Sequence, residues 1–335
     1  MRALAAVIRE HAAKCFHPDD LARLKAKVDL VPADPRTEAP ETIGLDWIEA
    51  RAADVEFLIT CWGTPNLPNE FFDRPNRLRG IVHAAGTVKA LIPPRAYEKG
   101  IAVTNCRRAL ATGVAETALG LLLASAKMFV PLHRVVADGG WREDEWLDWV
   151  TEPYRVRVGV VGASQVGRHF LGLLRVFEVE RLVYDPYASA DEIAALGGRK
   201  VELDELCSTC EFVVICAPAT EETRHLIDRR RLALMKDRTR VINPARGAII
   251  DETALAEEVT RGRLYACLDV FDPEPPRPDH PLRTSPYCLL TPHIAGSVNN
   301  ARLRQGRLVV DEILHFLEHG RFVWQVDPRT LARMA

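Results

Sequence analysis

The sequence has no hydrophobic run long enough to read as a membrane span. Its most apolar later stretch, Ala118 to Ala126, falls well short of the roughly 20 residues a spanning helix needs. Neither sign of charge prevails: 44 Lys and Arg face 46 Asp and Glu, for a net charge of −2. A nucleic acid or an anionic membrane is therefore not the expected partner. At the start, MRALAAVIREHAAK, Arg9 and Glu10 interrupt the apolar run too early for a signal peptide, and a cytoplasmic protein is expected. The eight cysteines form no disulfide framework, and Cys61, Cys216, Cys267 and Cys288 lie in apolar runs that suit buried, reduced thiols. Cys207-Ser208-Thr209-Cys210 has redox or zinc spacing, but no second pair follows and no metal site is expected.

What is present is globular. Hydrophobic residues make up 47% and charged residues 27% of 335 positions, enough for two domains with their own cores. The stretch Tyr154 to Asp185, YRVRVGVVGASQVGRHFLGLLRVFEVERLVYD, organises the chain. Val156 to Val161 is a β-branched strand run, and Gly162-Ala163-Ser164-Gln165-Val166-Gly167 is a turn. Arg168 to Phe177 has helical spacing, and Arg181 to Tyr184 is a second strand ending in Asp185. In that setting a glycine fingerprint points to a dinucleotide. Gly162 permits the tight turn, Gly167 permits close helix–strand packing, and the helix N-terminus faces a pyrophosphate. Asp185, 23 residues after Gly162, can accept from an adenosine ribose and would repel a 2′-phosphate, favouring NAD over NADP. Ser164 stands where the middle glycine belongs, and its hydroxyl could donate to a phosphate.

Before this stretch, strands are expected at Leu4–Ile8, Val28–Val31, Phe57–Cys61, Leu78–His83 and Ile101–Thr104, with helices at Pro18–Lys27 and Leu45–Ala53 and a loop from Pro32 to Pro40. Trp62 and the Ala84-Ala85-Gly86-Thr87 segment follow strand ends, where open α/β sheets hold ligands; for Trp62, plain packing is the alternative. Thr112 to Met128 reads as a buried helix with Thr112 as its N-cap. The segment with Trp141, Trp146 and Trp149 reads as irregular, packing on a second subunit or within the chain. After Asp185, strands at Phe212–Cys216, Arg240–Ile242, Tyr265–Val270 and Leu289–Thr291 alternate with helices, and Val298 to His319 is a long amphipathic helix. The alternation indicates a parallel, doubly wound sheet.

Three successive strand ends deliver chemically potent groups: Arg246, then Asp269 and Glu274, then His293. Hydride transfer to a 2-oxoacid needs such a set. A guanidinium grips a carboxylate in a planar, bidentate way and polarises the keto oxygen. An imidazole moves a proton to or from that oxygen, and a neighbouring carboxylate favours the protonated ring.

The segments NPARGAIID (Asn243–Asp251), LDVFDPEP (Leu268–Pro275) and LLTPHIAG (Leu289–Gly296) strongly resemble the D-isomer-specific 2-hydroxyacid dehydrogenases. CAPATEETRHLI (Cys216–Ile227) and TGVAETALGLLLA (Thr112–Ala124) follow in the same order. The resemblance implies two Rossmann-like, doubly wound α/β domains with a cleft between them. One is a discontinuous substrate-binding domain of residues 1–110 plus 297–335, and the other is an NAD-binding domain of residues 111–296. It implies Arg246 as substrate-binding and catalytic arginine, Glu274 as partner of the histidine, and His293 as general acid/base. Asp269 would bind the nicotinamide carboxamide. Cofactor contacts would come from Thr112, Gly162, Ser164, Gln165, Val166, Gly167, Asp185, Pro186, Ala217, Pro218, Thr223, Pro244, Ala245 and Gly296. Substrate contacts would come from Trp62, Ala85 and Gly86 together with Arg246 and His293. A homodimer acting on a 2-oxoacid/2-hydroxyacid pair with NAD is expected. A formate- or phosphite-type dehydrogenase and an NAD(H)-sensing, corepressor-like binding protein are the alternatives. Departures fall in the substrate half, at Ala85 to Lys89 and at Asn105-Cys106-Arg107-Arg108, where Arg107 or Arg108 could read a second anionic group.

Overall fold

The computed structural model describes residues 1–142 and 144–333, which divide into two compact units. Residues 1–110 and 297–335 form the first, and residues 111–296 the second.

The first unit holds five strands: β1 (Arg2–Ala6), β2 (Asp29–Val31), β3 (Phe57–Thr60), β4 (Gly80–His83) and β5 (Ala102–Asn105), in the order β2-β1-β3-β4-β5. Every pairing is parallel, and Thr60, His83 and Asn105 lie in register at one edge. Short β-branched and aliphatic runs buried on both faces suit such a sheet. One face packs on Val309, Val310, Ile313 and Phe316 of the helix Arg302–His319, the other on Ile48, Phe71, Phe72 and Ala96. The chain's tail docks on β5, where Val326 N donates to Val103 O at 2.7 Å.

The second unit holds β6 (Tyr154–Val161), β7 (Glu178–Tyr184), β8 (Arg199–Lys200), β9 (Phe212–Ile215), β10 (Arg240–Asn243), β11 (Tyr265–Leu268) and β12 (Cys288–Leu290). Their order is β12-β11-β10-β9-β6-β7-β8, again all parallel. Strand order therefore runs outward in opposite directions from the β6/β9 pair. Such a switch point opens a crevice at the carboxyl ends of the strands. Parallel strands share one direction, so the segments after β6, β7, β9, β10, β11 and β12 all emerge at the same edge. The two-residue β8 is too short to leave a periodic signal.

Three expectations need correction. The loop Pro32–Pro40 contains a short helix, Pro35–Glu38, because the Asp34 side chain caps Arg36 N and Pro35 occupies the first turn. The helix expected from Thr112 starts five residues earlier and runs Arg107–Ala126, with Asn105 Oδ1 accepting from Arg107 N at 3.3 Å, so Thr112 is inside it and caps nothing. This 20-residue helix is long and apolar enough to cross a membrane by length and composition alone. In the structure Ala115, Ala118, Leu121, Leu122 and Ala126 pack in the core of the second unit. The tryptophan segment is partly regular, with helices Phe129–Ala137 and Asp144–Leu147. Trp146 and Trp149 pack within the chain, their rings 5.2 and 5.4 Å from that of Tyr287, while Trp141 is exposed. All eight cysteines are free and buried. Burial pushes the Cys207 and Cys210 thiols up to about 12, the reverse of a reactive redox pair.

Candidate active site

The glycine turn joins β6 to the helix Gln165–Leu173. Gly162 adopts φ 101°, and a Cβ there would lie 2.7 Å from Ala217 N, so only glycine lets the turn lie against the end of β9. A Cβ on Gly167 would lie 2.1 Å from Gly162 O, which makes this the position of close helix–strand approach. Gln165 and Val166 begin the helix, and their N–H groups lack intrahelical acceptors, the feature that suits a helix start to phosphate. Ser164 is the N-cap, accepting from Gly167 N at 3.4 Å. Its hydroxyl donates to Cys216 O at 2.6 Å. The hydroxyl thereby ties the turn to the end of β9.

At the end of β7 the Asp185 carboxylate accepts from Ala163 N at 2.7 Å and from Tyr187 N and Ala188 N at 2.8 Å. It thus builds the floor of the turn, and a carboxylate keeps one further acceptor position beyond these three. Pro186 beside it is exposed. In the segment after β9, Thr223 Oγ1 donates to Pro218 O at 2.7 Å and accepts from Thr220 N at 2.8 Å, shaping the loop that starts at Ala217. Thr112 is half-buried in its helix, and a Cβ on the adjacent Gly113 would lie 2.9 Å from Gly296 O.

The reactive groups follow β10, β11 and β12. After β10, Asn243 Nδ2 donates to Arg246 O at 2.8 Å and Asn243 Oδ1 accepts from Ala245 N at 3.1 Å, so one side chain pins the loop of Pro244, Ala245 and Arg246. A Cβ on Gly247 would lie 2.1 Å from the Phe271 carbonyl carbon, so this glycine lets the Arg246 loop meet the Glu274 loop backbone to backbone. The Arg246 side chain is exposed and donates to Ala245 O at 2.6 Å.

Glu274 Oε1 accepts from Phe271 N at 3.0 Å, and Glu274 Oε2 lies 2.7 Å from His293 Nδ1. A carboxylate facing Nδ1 places the proton on that nitrogen and leaves Nε2 as the working end of a half-exposed ring. His293 itself adopts φ 53°, a left-handed backbone that a non-glycine residue holds only when its surroundings enforce it. Asp269 enforces it. His293 N donates to Asp269 O at 2.8 Å, and the Asp269 carboxylate accepts from Thr291 Oγ1 at 2.6 Å, Ile294 N at 2.9 Å and Ala295 N at 2.8 Å. Asp269 is 0% exposed, and its carboxylate is engaged by this loop.

In the first unit, Ala84 N donates to Thr60 O, Ala84 O accepts from Gln305 Nε2 at 2.8 Å, and Ala85 O accepts from Cys106 N at 2.9 Å. Among the described residues no acceptor meets the N–H groups of Ala85 and Gly86. Trp62 is 38% exposed, with its ring edge-on to His11 at 5.9 Å. Arg108 stacks over Trp324 at 3.9 Å. His11, beside Trp62, also lies within reach of the Arg302 charge, and the separation of these residues along the chain leaves no local signal.

The model of the D-isomer specific 2-hydroxyacid dehydrogenase NAD-binding domain matches residues 119–295. The chain belongs to the D-isomer specific 2-hydroxyacid dehydrogenase family. It is 32% identical over 262 residues to the D-3-phosphoglycerate dehydrogenase of Methanocaldococcus jannaschii, covering 78% of this chain and 49% of that protein. It thus spans about half the length of that relative. The hydroxypyruvate reductase of Thermotoga maritima is 35% identical over 222 residues, covering 65% of this chain and 71% of that protein. Among solved structures, the TT0316 protein of Thermus thermophilus superposes with a TM-score of 0.74 at 28% identity, covering 98% of this chain and 100% of the other. As a member of this family, the chain carries an NAD-binding domain in its second unit.

Proposed function

We propose that the protein is an NAD(H)-dependent oxidoreductase that interconverts a 2-oxoacid and a D-2-hydroxyacid. The observation that carries this reading is the 2.7 Å contact of Glu274 Oε2 with His293 Nδ1, which leaves Nε2 to give or take a proton. NAD(H), when bound, supplies or accepts the hydride. In reduction His293 donates the proton to the keto oxygen, and in oxidation it removes the proton from the hydroxyl. Glu274 orients the ring and balances the charge it gains. Arg246, on a loop fixed by Asn243, grips the substrate carboxylate and polarises the carbonyl. In the first unit, the free N–H groups of Ala85 and Gly86 suit a carboxylate, and Trp62 suits a carbon skeleton.

The residues present fit the dinucleotide. Gly162 and Gly167 leave a cradle that side chains would fill, and the helix start at Gln165 and Val166 suits a pyrophosphate. The negative Asp185 at the end of β7 supports NAD(H) over NADP(H). The Asp269 carboxylate serves by positioning the His293 loop. Exposed Phe129, Val136 and Trp141 on the second unit support self-association as a homodimer. The test is a loss of NADH absorbance in the presence of a 2-oxoacid that vanishes in His293→Ala while NADH binding persists.

A further inference from the structure

The second unit holds another histidine–glutamate pair besides His293 and Glu274. His280 Nε2 lies 2.8 Å from Glu252 Oε1, and the two side chains are only 14% and 13% exposed. Leu282 N donates to His280 Nδ1 at 3.3 Å, so Nδ1 carries no proton and Nε2 donates to Glu252. Both nitrogens are engaged, which leaves neither for a substrate. Glu252 opens the helix Glu252–Thr260, whose positive end favours a carboxylate. Burial pushes its carboxyl up, and the contacts with Asp272 N and His280 oppose that shift by favouring the anion.

The other oxygen of Glu252 reaches the loop that carries Glu274. Asp272 N donates to Glu252 Oε2 at 3.1 Å, and one residue earlier Phe271 N donates to Glu274 Oε1 at 3.0 Å. The Phe271 ring lies edge-on to the His280 imidazole, 6.4 Å between centroids. A Cβ on Gly247 would lie 2.6 Å from Asp272 N, so the Arg246 loop rests on the same peptide. The Phe271–Asp272 peptide thus links Glu252 and His280 to the positions of both Glu274 and Arg246. The exposed ion pair of Asp272 with Arg224, at 3.7 Å, adds little to this hold.

We propose that Glu252 and His280 are positioning residues for the reaction: the pair clamps the Phe271–Asp272 peptide and so holds the Glu274 carboxylate against His293 Nδ1. The inference rests on the dehydrogenase reading and adds two residues that act on the site without touching substrate. Proton transfer by His293 is sensitive to the angle of its ring, which Glu274 sets, and small misplacements of such groups cost rate steeply. The two ends of His280 separate this role from a local one. An asparagine in its place puts an oxygen near the Nδ1 position and keeps the bond from Leu282 N, but its amide stops short of Glu252. A glutamine reaches the Nε2 position with an N–H donor for Glu252 and gives up the bond from Leu282 N.

The test compares wild type, His280→Asn, His280→Gln and Glu252→Gln in steady-state reduction of the best 2-oxoacid and in amide hydrogen exchange at Phe271 and Asp272. Glu252→Gln can still accept from Asp272 N but turns an NH2 group toward His280 Nε2. His280→Asn and Glu252→Gln should lower kcat roughly ten- to a hundredfold. KM for the oxoacid and the NADH dissociation constant should change less than about threefold. His280→Gln should stay within about threefold of wild type. In the two impaired variants the Phe271 and Asp272 amides should exchange roughly tenfold faster, the scale of a lost hydrogen bond to a charged group. The reverse order, with asparagine active and glutamine impaired, would assign His280 to the turn Pro281–Arg283 and overturn the proposal. Equal losses in the two His280 variants, or a loss carried by KM alone, would overturn it as well. The exchange measurement needs no substrate. Exchange in the expected order, in a wild-type protein that binds NADH and reduces no oxoacid, supports the clamp on the Glu274 loop while the dehydrogenase reading falls. Full turnover with unchanged exchange in all three variants removes the clamp and leaves the reading standing.

Discussion

Thr291 Oγ1 donates to the Asp269 carboxylate at 2.6 Å, which anchors the strand end from which His293 projects. The same carboxylate holds the amides of Ile294 and Ala295 on the other side of the histidine. An amide in its place keeps one acceptor oxygen and turns an NH2 group toward an N–H. Asp269→Asn should therefore lose about 2 kcal/mol of stability, the scale of a charged hydrogen bond. It should lower kcat roughly tenfold or more by loosening the His293 backbone. Thermal unfolding and steady-state kinetics check both; a normal melting midpoint would show that the loop does not depend on this anchor.

Glu274→Gln retains size and the bond from Phe271 N but removes the negative charge beside Nδ1. We expect kcat/KM to fall by roughly ten- to a hundredfold, the lower part of the range for general acid–base groups. NADH affinity should not change. A loss of NADH binding would mean that Glu274 shapes the cofactor site instead.

Ser164→Ala removes the hydroxyl that reaches Cys216 O. It should cost about 1 kcal/mol of stability, as for other helix caps. The NADH dissociation constant should change less than about threefold, below the worth of a hydrogen bond to a charged group. A tenfold or greater weakening would show that the hydroxyl turns to the phosphates in the bound state.

The contrast at Ser164 marks where sequence reading stops. Val156 to Val161, Gly162, Gly167 and Asp185 form a local pattern in which each residue type has one ready physical reading, and the strand, turn and helix follow. Arg246, Glu274 and His293 share an edge because parallel strands of one sheet all end on the same side. Side-chain direction is decided by neighbours distant in sequence: the Ser164 hydroxyl turns inward to Cys216, and the Asp269 carboxylate faces Ala295. The start of the helix at Arg107 depends on Asn105 as a cap, which a search for Ser or Thr before an apolar run passes over. His11 and Arg302 come together through the packing of Gly306 on Cys15, which no local pattern records.

His83 supplies a pH test of the first unit. It is buried beside the Thr60 hydroxyl, Nδ1 to Oγ1 2.9 Å, and burial pushes it down to about 4. Its folded pKa lies below the ordinary 6.5, so the unfolded chain binds the proton more readily between those values. Stability from this residue is thus full above about pH 6.5 and is lost as pH falls toward 4, by ~3 kcal/mol. Denaturant unfolding across this window should show the slope, and His83→Leu should flatten it. An unchanged slope in the variant would assign the acid sensitivity to other groups.

Proton transfer by His293 is isolated by the loss of NADH absorbance with a panel of 2-oxoacids, followed in wild type and in His293→Ala. Turnover of at least one oxoacid is expected, with a fall in kcat of roughly 100- to 10,000-fold in the variant and NADH still bound. Turnover that survives in His293→Ala, or no oxoacid reduced by a wild-type protein that binds NADH, would contradict it.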